Sequence, residues 1–135
     1  MSEAFGYSGK PLSAKLGIKP GQTLAVIAAP DHYRALVEPL PEGARLEEKI
    51  QAGAAVVHLF VRDRADLQRR LDLAVRAVSP GCALWVSWPK KSSPLFVDLT
   101  EDGVRAAVLP TGLVDVKVAA VDADWSGLKF LWRRK

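Results

Sequence analysis

The sequence predicts an α/β fold: a three-layer sandwich around a mostly parallel sheet of about six strands, with an antiparallel hairpin at its C-terminal end. Three observations predict it. Residues 23–29, 54–61 and 82–88 are near-continuous apolar runs of strand length, as central parallel strands buried on both faces require. Between the last two, Leu67, Leu71, Ala74, Val75 and Val78 recur at helical spacing, with Arg69, Arg70 and Asp72 turned outward. The chain then closes with two strand-like runs, residues 113–121 and 128–133, joined by a short loop containing Gly127, which is a hairpin pattern. Strands alternating with helices wind right-handedly and place helices on both faces of the sheet.

Taken in order, Pro11 opens a short helix that Gly17 ends, with Leu12 and Leu16 on one face. The N-terminal segment, residues 1–20, is expected to pack on the sheet through it. Lys19-Pro-Gly-Gln22 turns the chain into the first strand. A helix is expected over residues 30–38, opened by Pro30 and Asp31 and closed by Pro39 and Pro41. A weak second strand follows over residues 44–48. Only residues 49–53 then separate it from the third strand, whereas a parallel crossover takes about a dozen. Either a strand-helix unit is missing and the sheet is shortened, or residues 44–53 hold no strand.

The third strand, residues 54–61, ends in Arg62-Asp-Arg64, and Ser79-Pro-Gly81 stops the amphipathic helix after it. The strand over residues 82–88 runs into Pro89-Lys-Lys-Ser-Ser-Pro94. Thr100 suits the N-cap of a helix over residues 101–109, with Glu101 and Asp102 in the first turn, and Pro110-Thr-Gly112 breaks it.

Composition agrees with a single α/β domain over residues 1–135: 49% of the residues are hydrophobic and 25% charged. No stretch approaches the ~18 consecutive apolar residues of a membrane span, so a soluble protein with no membrane contact is expected. The first residues carry no basic segment followed by an apolar one, which points to the cytoplasm. A lone Cys82 makes no internal disulfide and fits a reducing compartment. Nineteen Lys and Arg against fifteen Asp and Glu leave a net charge of +4, too little for a basic stripe, and the closing Arg133-Arg-Lys135 reads as a solubilising end. Nucleic-acid binding is therefore the third choice, and a weak one.

A parallel α/β sheet whose final two strands form a hairpin at one edge resembles the class I methyltransferase architecture, a Rossmann-like fold. Ser79-Pro-Gly-Cys-Ala-Leu-Trp-Val-Ser87 is similar to its step from Pro-Gly-Gly into a strand. Several phrases together, Gly6-Tyr-Ser-Gly-Lys-Pro-Leu12, Lys15-Leu-Gly-Ile-Lys19, Leu59-Phe-Val-Arg-Asp63, Ser87-Trp-Pro-Lys-Lys-Ser92, Asp98-Leu-Thr100, Val114-Asp-Val-Lys-Val118 and Trp125-Ser-Gly-Leu-Lys129, resemble a bacterial family catalogued as domain of unknown function 3052. That resemblance implies no reaction, cofactor or catalytic residue.

The residues themselves argue against an intact cofactor site. A nucleotide- or S-adenosylmethionine-binding sheet needs glycines after its first strand, so that the backbone can approach the ligand. Here the loop reads Ala28-Ala-Pro-Asp-His32, without glycine, and Pro30 removes an N–H donor. No cofactor is expected. Glu47 or Glu48 stands where an acid would hold a ribose, although a solvated carboxylate pair is the favoured account. Neither a phosphate loop nor a nucleophile elbow occurs. His32, His58 and Cys82 make a poor zinc set, so no metal is expected. His58 reads as a core histidine satisfied by hydrogen bonds, and Cys82 as a small core residue.

Topology is the better guide, because open α/β sheets bind ligands at the carboxyl ends of their strands. That edge should collect Asp31 and His32, then Arg62 and Asp63, then Trp88, Lys90, Lys91 and Ser92 with Ser93. Asp124 and Trp125 reach it from the hairpin loop, and Tyr7 and Lys10 from the N-terminal segment. Lysines and Arg62 suit an anion, and the tryptophans supply flat walls. The leading expectation is a noncatalytic ligand-binding or regulatory module with this edge as its recognition surface. Its partner would be a small anionic ligand or another protein. The rival is an enzyme for a small phosphorylated substrate, with Lys90, Lys91 and Arg62 as stabilisers and Asp31, Asp63 or His32 as acid or base. That reading requires those groups to converge. A hairpin strand must also form the edge of the sheet, residues 113–121 if the order is methyltransferase-like and residues 128–132 otherwise, and a homodimer could cover it.

Overall fold

A computed structural model describes residues 11–50 and 53–133. The order along the chain is α1 (Leu12–Leu16), β1 (Thr23–Ile27), α2 (Tyr33–Val37), β2 (Arg45–Glu47), β3 (Val56–Phe60), α3 (Arg64–Arg76), β4 (Ala83–Pro89), α4 (Glu101–Val108), β5 (Leu113–Ala120) and β6 (Trp125–Trp132). A 3-10 turn, Leu109–Thr111, links α4 to β5. The six strands form one sheet in the order β2-β1-β3-β4-β6-β5. The pairs up to β4 are parallel, and those made by β6 are antiparallel.

Alternation along the strands divides the core between the two faces. Ala25, Val57, Leu59, Leu84, Val86, Leu128 and Phe130 pack against α3 and α4. Leu24, Val26, Val56, Phe60, Ala83 and Trp85 pack against α1 and α2. This makes the three layers. The fully buried Trp85 indole donates to the Leu16 carbonyl at 3.2 Å and so fastens α1 to the sheet. Gly17 ends α1 in the left-handed conformation, φ 87°, that its cap requires.

The short connection before β3 is explained by the shortness of β2. A three-residue strand is only about 10 Å long, so the chain has little distance to return before crossing β1. Set beside the doubly wound order 3-2-1-4-5-6, the outermost strand and its helix are absent here, and the sheet is shortened at that edge. At the opposite edge lies β5, as a methyltransferase-like order requires. A register shift between Asp115 and Lys117, with Lys117 exposed, blunts this edge against a further strand.

Two boundaries differ from the sequence reading. The helix expected from Pro30 starts only at Tyr33, because residues 30–32 form a turn closed by the Tyr33 N–H donating to the Pro30 carbonyl at 3.0 Å. The last strand starts at Trp125, not at Leu128. Asp122 Oδ1 accepts from the N–H groups of Asp124 and Trp125 at 2.8 and 2.9 Å, which closes the turn early and lets Trp125 pair with Pro89. Gly127 is then a strand residue, needed because a β-carbon there would stand 3.1 Å from Ser87 Oγ and 3.2 Å from the Trp85 ring. No helix among the described residues is long and apolar enough to cross a membrane.

Candidate functional site

The carboxyl edge of the sheet carries two depressions that share the loop Ala28-Ala-Pro30. The first, about 410 Å³, is walled by Phe60, Arg62, Asp66, Arg70 and Trp125. The second, about 500 Å³, is walled by Val26, Asp31, Tyr33, Arg34 and Glu48. Their shared loop is unusual in its backbone: Ala28 has φ 62°, making it the one non-glycine residue with positive φ among those described. An L-residue there costs about 1–2 kcal/mol. Such strain concentrates at functional sites. Ala28→Gly is accordingly expected to raise the unfolding free energy by about 0.5–1 kcal/mol, the strain relieved less the flexibility gained by the unfolded chain, measurable as a higher urea midpoint.

The same loop decides whether a methyltransferase cofactor fits. The backbone keeps a turn that suits glycine, but the methyl groups of Ala28 and Ala29 and the ring of Pro30 occupy its surface, and Pro30 offers no N–H. Glu48 does stand beside this loop, at the place of a ribose-binding acid, with Arg34 at 4.0 Å. One acid without the glycine cradle does not reconstitute the site. The residues therefore do not fit S-adenosylmethionine as glycine-loop sheets hold it.

In the first depression the electrostatics centre on Asp66, whose side chain is only 4% exposed. Its Oδ2 accepts from the Arg62 N–H at 2.9 Å, and its Oδ1 from Arg70 Nε at 2.8 Å and from Arg69. Burial alone pushes this carboxyl up, but the hydrogen bonds from Arg70 and the Arg62 N–H and the charges of Arg70 and Arg69 outweigh it and hold the group below its ordinary range. One carboxylate thus serves three guanidinium groups, counting Arg62 at 3.9 Å. The cleft is left with a surplus of positive charge. Trp125 stands edge-on to Phe60 as an apolar wall.

The other expected residues are distributed more widely than the sequence reading has them. Tyr7 and Lys10 lie outside the described residues. Asp31 is exposed at the second depression. His32 Nε2 is 2.7 Å from Asp122 Oδ2, a pair that ties the β1 loop to the hairpin loop. Asp63 is the N-cap of α3, accepting from the Asp66 N–H at 2.8 Å, so its carboxylate has a structural task. Trp88 is buried on the α3–α4 face, opposite to Trp125. With Lys90, Lys91, Thr100, Glu101, Asp102 and Ser126 it walls a separate cleft of about 450 Å³. Ser92 is exposed in the turn that follows. Ser93 is buried and donates to Asp124 Oδ1 at 3.0 Å, while the Lys90 N–H donates to the Asp124 carbonyl at 2.8 Å, so this loop is braced on the hairpin.

The single rim expected from the sequence is therefore divided among three clefts. Asp31 lies at one, Arg62 faces another, and Lys90 with Lys91 the third, whose lining adds two carboxylates. Sequence reasoning missed Asp66 and Arg70 as site residues. Their signal was the run Arg62, Asp66, Arg69, Arg70, in which every basic residue lies three or four positions from one acid. Asp122 was missed too, although Asp122-Ala-Asp-Trp125 has the form of an Asx turn.

His58 is a core histidine, as the sequence indicates. Nδ1 is 2.7 Å from the Tyr33 hydroxyl and Nε2 is 2.7 Å from Ser87 Oγ, all three residues being buried. Burial pulls its pKa down to about 3 and pushes the Tyr33 phenol up. Among the described residues no three His, Cys, Asp or Glu side chains are placed to hold a metal ion.

No protein-family profile matches the sequence, and no curated protein matches it. Solved structures do. An O-methyltransferase family 2 protein from Planctomyces limnophilus, in complex with apigenin, superposes with a TM-score of 0.61 at 13% identity, over 93% of this chain and 52% of its own. A SAM-dependent methyltransferase from Aquifex aeolicus gives 0.57 at 10% identity, over 88% and 86%. A possible exported protein from Bordetella parapertussis gives 0.61 at 12%, over 90% and 66%. The chain has the methyltransferase-like α/β fold. It spans between about half and most of the length of these proteins, and at such identities the likeness concerns the fold alone.

Proposed function

We propose that this protein is a noncatalytic binding module that holds a small anionic ligand at the carboxyl edge of a shortened methyltransferase-like sheet. The observation that carries the reading is the first depression, where Arg62 and Arg70 share the single carboxylate of Asp66 beside an apolar wall and a β1 loop without glycine. Guanidinium groups bind carboxylates and phosphates in a bidentate way, and a cleft with surplus positive charge and one aromatic wall suits a compact anion carrying a flat apolar part. Membership of the bacterial family catalogued as domain of unknown function 3052 and a cytoplasmic setting belong to the same proposal. They rest on the phrases quoted above and on the single Cys82.

The test is a thermal-shift screen of the purified protein against S-adenosylmethionine, S-adenosylhomocysteine, nucleotides and phosphorylated metabolites. An anion is expected to raise the melting temperature, and Arg62→Ala to abolish the rise. Arg62 is largely exposed and only 3.9 Å from Asp66, so its loss should leave the unliganded stability within about 0.5 kcal/mol. The reading fails if no anion shifts the protein, or if a shift survives Arg62→Ala and vanishes in Lys90→Ala. Product formation from any hit, followed by mass spectrometry, would replace binding by catalysis.

A further inference from the structure

The face of the hairpin beside α1 carries lysines that no feature of the carboxyl edge explains. Lys117 on β5 and Lys129 on β6 are directly opposite each other in the antiparallel register. Lys19 lies two residues beyond Gly17, the C-cap of α1, and Lys129 Nζ stands 3.7 Å from the point a β-carbon on Gly17 would occupy, so the turn that carries Lys19 begins beside Lys129. Among the described residues no carboxylate pairs with any of the three. Like charges directly opposite in a sheet are destabilising. Their effect is visible in Lys129, whose pKa is lowered by burial and then by the charges of Lys117 and Lys19.

A cluster of cations held against their own repulsion, with no carboxylate paired to it among the described residues, is a local rule broken without compensation from those residues. An anion bound from outside would supply the compensation, and ammonium point charges without planar geometry match clustered phosphate oxygens better than a single carboxylate. Trp85 is directly opposite Lys129 on β4, but it is fully buried and offers no free face on which a base could stack. We infer that Lys19, Lys117 and Lys129 form a second anion site that takes a compact polyphosphate group, separate from the arginine cleft at the carboxyl edge.

Isothermal titration with tripolyphosphate at low salt tests this on the full chain. Binding is expected to weaken as salt rises and to fall by about tenfold or more in Lys117→Gln/Lys129→Gln. Arg62→Ala should leave it unchanged, which separates this site from the one proposed above. Because the double substitution removes repulsion, its melting temperature should be no lower than that of the parent, so lost binding cannot be mistaken for unfolding. Unchanged affinity in the lysine variant, or loss in Arg62→Ala, overturns the inference. A single-stranded oligonucleotide that binds far more tightly than tripolyphosphate, and loses affinity in the lysine variant, would overturn the compact occupant in favour of a nucleic-acid backbone.

Discussion

Replacing Asp66 with alanine is expected to lower the unfolding free energy by about 3 kcal/mol, the scale seen when one partner of a buried ion pair is removed. Asp66 is the third residue of α3, and the start of that helix is locked by a reciprocal pair of bonds. Its N–H donates to the Asp63 carboxylate, and its own carboxylate reaches back to the Arg62 N–H, an arrangement close to a capping box. Alanine leaves that N–H without its acceptor and crowds Arg62, Arg69 and Arg70 together with nothing to neutralise them. Asp66→Asn, which can still accept from the N–H, should lose less. Because the folded pKa lies below the unfolded value of about 4, the stabilisation is complete above that value and disappears as the pH falls through the lower, folded one. Urea midpoints at pH 7 for the parent, Asp66→Ala and Asp66→Asn would check both size and order. A drop under about 1 kcal/mol for alanine would mean that the cluster is held by other contacts.

The layered fold was legible in the sequence because its signals are long and redundant. Leu67, Leu71, Ala74 and Val75 repeat along one face, and each central strand is a near-continuous apolar run, broken in β3 only by His58, so burial on two faces leaves little alternative. Thr100 was legible for a local reason: a hydroxyl before Glu101 and Asp102 caps a helix wherever the helix packs, and Gly103 N–H donates to it at 3.1 Å. Local rules are weak where tertiary contacts decide. Pro30 looks like a helix opener, yet the left-handed Ala28 before it sends the chain through an extra turn. Gly127 looks like a loop residue, yet what it satisfies is the close approach of Trp85 and Ser87 from the neighbouring strand.

For the site, topology points to the carboxyl edge but cannot sort residues by face. Trp88 and Trp125 lie on opposite faces, separated by the sheet itself, because the partners they meet across the β4–β6 pair are fixed by a register that no sequence pattern reveals. Lys90 and Arg62 part company for the same reason. Asp66 was hidden because a carboxylate among arginines on an amphipathic helix resembles ordinary surface pairing. Only the structure shows that its side chain is covered while the arginines reach outward from it.

Between pH 7 and pH 4.5 the protein is expected to lose about 2.5 kcal/mol of stability through His58 alone. The unfolded imidazole titrates near 6.5 and the folded one near 3, because burial disfavours its charged form. A folded pKa below the unfolded one means stability that is full above about 6.5 and lost as the pH falls toward 3, at about 1.4 kcal/mol per unit. The hydrogen-bond chain supports the same sign. A neutral ring needs only one of its two partners to donate, and Tyr33 and Ser87 can divide the roles between them. A protonated ring donates from both nitrogens and turns both hydroxyl protons away, in an enclosure where Phe60 stacks on the ring with centroids 4.4 Å apart. His58→Gln is expected to cost about 1–3 kcal/mol at pH 7, since a glutamine cannot reach both hydroxyls, and to flatten the stability profile between pH 6.5 and 4.5. Asp66 acts only below about pH 4, so the two acid effects occupy different windows. Denaturation midpoints across the range in His58→Gln would decide: an unchanged slope would assign the acid sensitivity to other groups, whereas a flat one would show that this buried chain of hydroxyl, imidazole and hydroxyl sets the acid limit of the fold.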